Sequence, residues 1–187
     1  LGFVNRAIAR VQAAGLRPII WDDMIQRNLT GGGLDLLPQG VVLCNWSYHP
    51  REMTSPIFYY GGPEGHSRFH WASRQWLERD PAVLDPEVQW LEDAPDDVIS
   101  FARRYWDRGE YPLRGSALPW MRFYRDHGRP VIGASAAKGA NGLHAFSPLY
   151  DSRIDNVATL ARAAREEGAE GVIATAWSRY SGLAVPC

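Results

Sequence analysis

The sequence predicts an α/β fold built on a parallel sheet, as part of a (β/α)8 barrel. Three observations predict it. Apolar runs and helical patterns alternate along the chain, as they do in parallel-sheet proteins. The runs are continuous rather than alternating in polarity, the pattern of strands covered on both faces. Three of the four runs end in tryptophan, at Trp21, Trp46 and Trp177, and in parallel α/β folds the carboxyl ends of strands face the ligand. A doubly wound open sheet fits the alternation as well. A complete barrel takes about 250 residues, so four strands amount to half of one.

Each element has its own signal. Val4, Ala7, Ile8 and Val11 fall on one face of a helix that Gly15 ends. "RPIIW" gives the first strand, about 17–21, and "DDMIQRN" a short helix or turn that Asp22 or Asp23 can cap. "TGGGLDLLPQG" reads as a loop and "VVLCNW" as the second strand, 41–46. From about 48 to 97 no period holds. Pro50, Pro56, Pro81, Pro86 and Pro95 mix with Tyr59, Tyr60, Trp71, Trp76 and Trp90, which reads as a long aromatic-rich loop or insertion rather than a linker. Helix resumes with Val98, Ala102 and Tyr105 and again across "ALPWMRFYRDHG". The third strand is placed at 131–135. A helix carrying Ile154, Val157, Ala161 and Ala164 follows, with Asp151 or Ser152 as its cap, and the fourth strand covers 172–177. Residues 1–187 read as one domain.

Composition removes several function classes. With 187 residues, 45% hydrophobic and 22% charged, and a net charge of −1, the chain has the balance of a soluble globular domain, without the basic bias of nucleic-acid or anionic-membrane binders. No run is long enough to span a bilayer. Cys44 and Cys187 are too few for a disulfide scaffold. The start at Leu1, already within a helical pattern, reads as a piece of a longer protein; the compartment stays open, with the cytoplasm favoured. His66 and His70 stand four apart but among Gly and Pro, without an H-E-x-x-H; "TGGG" lacks the lysine of a P-loop; no G-x-S-x-G elbow occurs. No metal and no cofactor are expected.

The strand ends carry the chemistry. One terminal tryptophan is more often a cap on the core. Three at equivalent positions favour a shared aromatic wall, and flat aromatic faces suit the C–H faces of a pyranose ring. Polar residues stand beside them: Asp22 and Asp23, Asn45 and Tyr48, Lys138, Ser178 and Arg179. They have the groups to hydrogen-bond sugar hydroxyls. Asp22 and Asp23 are poor candidates for a facing acid/base pair, because adjacent strand residues point to opposite faces.

"GLRPIIWDDM", "VVLCNWSY", "VIGASAAKGANG" and "GAEGVIATAWSRY", in this order, resemble glycoside hydrolase family 20, the β-N-acetylhexosaminidases, in its hexosaminidase D-like branch. The resemblance covers most of the chain outside about 50–115. It implies a (β/α)8 catalytic barrel of which this chain supplies strands five to eight. It implies substrate-assisted hydrolysis of terminal N-acetylhexosamine, in which the sugar's acetamido oxygen is the nucleophile. The Asp–Glu dyad of the family ends strand four, which would precede Leu1, so no catalytic residue is expected in this chain. Trp21, Trp46 and Trp177 would match the tryptophans around the sugar. Asp22, Tyr48, Lys138 and Arg179 would complete the substrate contacts. Tyr48 stands in for a family tyrosine that comes from strand seven in better-known branches. Arg179 lies where those branches carry a glutamate. The partner implied is an N-acetylhexosamine-containing glycan, with neither nucleic acid nor membrane. Two other readings remain: a non-catalytic carbohydrate-binding barrel domain, or another barrel glycosidase.

Overall fold

The computed structural model describes residues 2–27, 32–46, 57–60, 69–74, 88–106, 119–138 and 150–176. In chain order the elements are α1 (Gly2–Ala13), β1 (Ile19–Trp21), α2 (Asp23–Arg27), β2 (Val42–Trp46), β3 (Ile57–Tyr60), β4 (Phe69–Ala72) and β5 (Val88–Trp90). There follow α3 (Asp96–Phe101), continued by a π-helical turn over Ala102–Trp106, then α4 (Pro119–Asp126), β6 (Val131–Lys138), α5 (Tyr150–Glu166) and β7 (Gly171–Ala176). Among the described residues no helix is long and apolar enough to cross a membrane.

Four strands form a parallel sheet in the order β1-β2-β6-β7, which is also their order along the chain. The helices that precede β1, β6 and β7 end alike. After α1 the Gly15 amide bonds to the Gln12 carbonyl and the Leu16 amide to that of Val11. The same two bonds recur from Gly128 to Arg125 and Arg129 to Tyr124, and from Gly168 to Arg165 and Ala169 to Ala164. Each glycine has φ near +70° (73°, 68° and 67°), the left-handed conformation that closes a Schellman motif and turns the chain back into the sheet.

The helices cover one face of the sheet. Ile8 of α1, Ile25 of α2, Val98 and Phe101 of α3, Met121 and Tyr124 of α4, and Leu160 of α5 share one core with Leu43 and Val131 of the strands, and Ile20 and Val172 pack against it. Helix and sheet approach closely at Gly133, where an added Cβ would lie 2.7 Å from Met121 Cε and 3.2 Å from Leu160. The opposite strand face carries a separate cluster, Val42, Cys44, Ile132 and Ala134, with Trp46 against it. The expectation of strands covered on both faces is therefore corrected. β2 is buried along its length, but β1 and β7 are largely exposed, with Ile19 at 57% and Ile173 at 42%. The described helices lie on one side, and the outer strands have a neighbour on one edge.

An ion pair joins those outer strands. Arg17, just before β1, donates twice to the carboxylate of Glu170, just before β7, at 2.5 and 2.6 Å. Laid flat, three strand spacings would separate them by about 14 Å. Two long side chains bridge that span between them, so the ion pair ties the amino ends of the outer strands together.

The segment expected as a loop or insertion holds a second sheet, β3-β4-β5, antiparallel then parallel. It is tied down at its end: Ser73 Oγ and the Arg74 amide both donate to Glu92, and the Arg74 guanidinium lies 5.2 Å from the centre of the Trp90 ring. Trp71 reaches the main core. In α5 the apolar stripe expected at Ile154, Val157, Ala161 and Ala164 is displaced. Ile154 is 64% exposed, while Arg153, Asn156, Leu160, Ala163 and Ala164 are buried. Two polar residues occupy that face, and Asn156 Oδ1 accepts from the Ala136 amide of β6 at 2.8 Å.

Candidate functional site

Trp21 and Trp46 end adjacent parallel strands. Trp21 pairs with Cys44, so Trp21, Cys44 and Trp46 lie on the same face, the one away from the helices. Trp46 stands one residue pair further toward the carboxyl ends than Trp21. Beside Trp46 on that face come Ala134 of β6 and Ile173 of β7. Trp21 is 40% exposed and Trp46 partly buried. The two tryptophans therefore present apolar ring surface along one face.

The two carboxylates after β1 go to opposite sides. Asp23 accepts a hydrogen bond from the Trp46 indole Nε1 at 3.0 Å and so fixes the tilt of that ring across the strand gap. Asp22 turns inward. It is fully buried, and its Oδ2 accepts from Asn45 Nδ2 at 2.7 Å, Gln26 Nε2 at 2.7 Å and the Tyr124 hydroxyl at 3.1 Å. Burial pushes its carboxyl up to about 6, against the lowering effect of those three hydrogen bonds. Burial also lifts the Tyr124 hydroxyl well above its ordinary range: desolvation acts first, then the charge of the neighbouring Asp22 carboxylate.

This corrects the placing of Asp22 among residues that touch a ligand on the open face. Its side chain is sealed on the helix side, as is that of Asn45. Strand alternation from Trp21 already carries the sign of that result. Asp23 takes the position at the open face, and the sequence does not single it out because a residue at the start of a helix reads first as a cap. Tyr124 and Gln26, the remaining partners of Asp22, carry no sequence signal. Tyr124 lies 102 residues away.

Cys44, between the tryptophans, is 2% exposed. Burial and the nearby Asp22 and Asp23 push its thiol up to about 12, so it stays protonated and unreactive at neutral pH. Of Lys138 only the backbone is described. A bulge between Ala136 and Lys138 sets it opposite Ala176, and the Asn156 bond to Ala136 holds the chain where the bulge begins. Tyr48, Trp177, Ser178, Arg179 and His66 lie outside the described residues. Among the described residues no group of three or more His, Cys, Asp or Glu side chains is placed to hold a metal ion. Comparison with family models, with curated proteins and with solved structures returned no match.

Proposed function

We propose that this chain is the second half of a (β/α)8 glycosidase barrel of the β-N-acetylhexosaminidase type, and that its open face is one wall of the sugar site. The observation that carries the reading is the pair Trp21 and Trp46 at the carboxyl ends of neighbouring parallel strands, on one face, with Asp23 holding the second ring. Two features of the fold support the barrel. The strands follow one another in chain order, whereas a doubly wound sheet reverses direction at its switch point. The described helices cover a single face, as the outer ring of a barrel does.

In this reading the tryptophans stack against the pyranose ring, and Tyr48, Lys138, Trp177 and Arg179 supply further contacts implied by the resemblance. Hydrolysis proceeds by attack of the acetamido oxygen on the anomeric carbon while a glutamic acid from the other half protonates the departing oxygen. Water then opens the oxazolinium. The neighbouring group gains its rate from being held beside the carbon it attacks. Asp22 and Asp23 do not serve as an acid/base pair, since one is sealed in the core and the other is bonded to Trp46. That same observation favours a second reading, a carbohydrate-binding domain without its own catalysis.

The test is a fluorescence titration of the chain with N-acetylglucosamine and its β-linked dimer, beside a nitrophenyl N-acetylglucosaminide assay. Binding that quenches tryptophan emission and is lost in Trp21→Ala and Trp46→Ala is expected, with no hydrolysis by this chain alone. Absence of binding in the unmutated chain would remove the sugar-site reading. Hydrolysis by a protein that joins this chain to its upstream sequence separates the enzyme from the binder.

A further inference from the structure

Hydrogen bonding around Asp22 is lopsided. Three donors converge on Oδ2, while Oδ1 is buried and meets none. The amide oxygen of Asn45, whose nitrogen is one of those donors, is also buried without a donor. Two unmet acceptors on neighbouring, fully buried side chains each cost the desolvation of a polar group. One proton answers both. A neutral carboxylic acid has a single donor to give, and the oxygen that accepts nothing is the natural place for it.

We propose that Asp22, in its protonated form, donates its Oδ1 hydroxyl to Asn45 Oδ1, closing a cyclic acid–amide pair, and that this proton, present at mildly acidic pH, latches the strand ends carrying Trp21 and Trp46. The pair bridges β1 and β2 at the point where both tryptophans leave the sheet. Asp22 is flanked by Trp21 and Asp23, and Asn45 by Cys44 and Trp46. Asp23 in turn holds the Trp46 indole. Loss of the proton puts a charge in the core and sets two oxygens against each other across the same gap.

Burial and the nearby Asp23 oppose ionisation, the three donors to Oδ2 favour it, and burial is the largest influence. Asp22 meets the amide of Asn45 from β2, the amide of Gln26 from α2 and the hydroxyl of Tyr124 from α4, while Asp23 and the Cys44 thiol lie on the other side of the strands, within reach of its charge. Every titratable member of that set is an acid, and no lysine or arginine contributes to its titration among the described residues. The direction agrees with the raised carboxyl reported above.

It is tested by carboxyl-carbon NMR titration of the intact chain, with the Asp22 signal assigned by through-bond correlation. The Asp22 carboxyl is expected to titrate near about 6, and the indole N–H signals of Trp21 and Trp46 to shift with the same midpoint. A group protonated more readily when folded adds stability that is full below its unfolded value, 3.8, and is lost as pH rises through its folded one. The two values differ by about two units (about 6 against 3.8), so the unfolding equilibrium shifts about a hundredfold in favour of unfolding across that window. Asp22→Asn, isosteric with the neutral acid, should remove that slope. A carboxyl that titrates at or below the ordinary aspartate value overturns the neutral acid, whether or not Asp22→Asn folds. Indole signals indifferent to the Asp22 midpoint overturn the latch.

Discussion

The two faces of the four-stranded sheet are made by the same strands and have opposite characters. On the helix side Leu43 and Val131 pack against Met121, Tyr124 and Leu160, all within a few per cent of complete burial. On the other side Ile19, Trp21 and Ile173 are exposed by 40% or more. One face spends its apolar surface on stability; the other leaves aromatic and aliphatic surface available. Alternation along a strand assigns successive residues to these two roles, so Trp21 and Asp22, neighbours in sequence, have unrelated work.

That contrast is open to direct attack. Leu160→Ala, on the covered side, should cost about 2–5 kcal/mol, because the cavity sits where α5 meets β6 and has little freedom to collapse. Urea unfolding measures it; a loss below about 1 kcal/mol would mean that the helix face is loosely packed. Gly133→Val tests the same contact from the strand. Its side chain would enter the space of Met121 and Leu160 and should destabilise by about 1–3 kcal/mol, read as a fall in Tm. At the small end, Trp21→Ala should change stability by about 0.5 kcal/mol or less, as surface substitutions do. A large effect from Trp21→Ala would erase the distinction between the faces.

How much of this was legible in the sequence depended on the distance over which each feature is decided. The sheet strands at 19–21, 42–46, 131–138 and 171–176 fall within two or three residues of the runs that announce them, because a buried strand is a local statement. Gly15 marked the end of α1 for the same reason. The small sheet β3-β4-β5 was not legible. Its strands are three or four residues long and their aromatics follow no period. The buried side of α5 was misjudged by one position because it contains Arg153 and Asn156, and periodicity counts only apolar residues. At the site, Trp21 and Trp46 fall on one face because Trp21 pairs with Cys44, two residues before Trp46, whereas Asp22 is sealed by Tyr124, a partner that only the folded chain brings near. The bulge before Lys138 depends on a hydrogen bond to a helix twenty residues on, and no local pattern encodes it.

The pairing of Arg17 with Glu170 has a mechanical consequence. It binds the outer strands only at their amino ends, where the Glu170 carboxyl is held below its usual range by the hydrogen bond from Arg17. The opposite rim, which bears Trp21 and Trp46, has no comparable tie between β1 and β7 among the described residues. The fastening is exposed and ionic, so added salt screens it and the tie between the outer strands weakens as ionic strength rises.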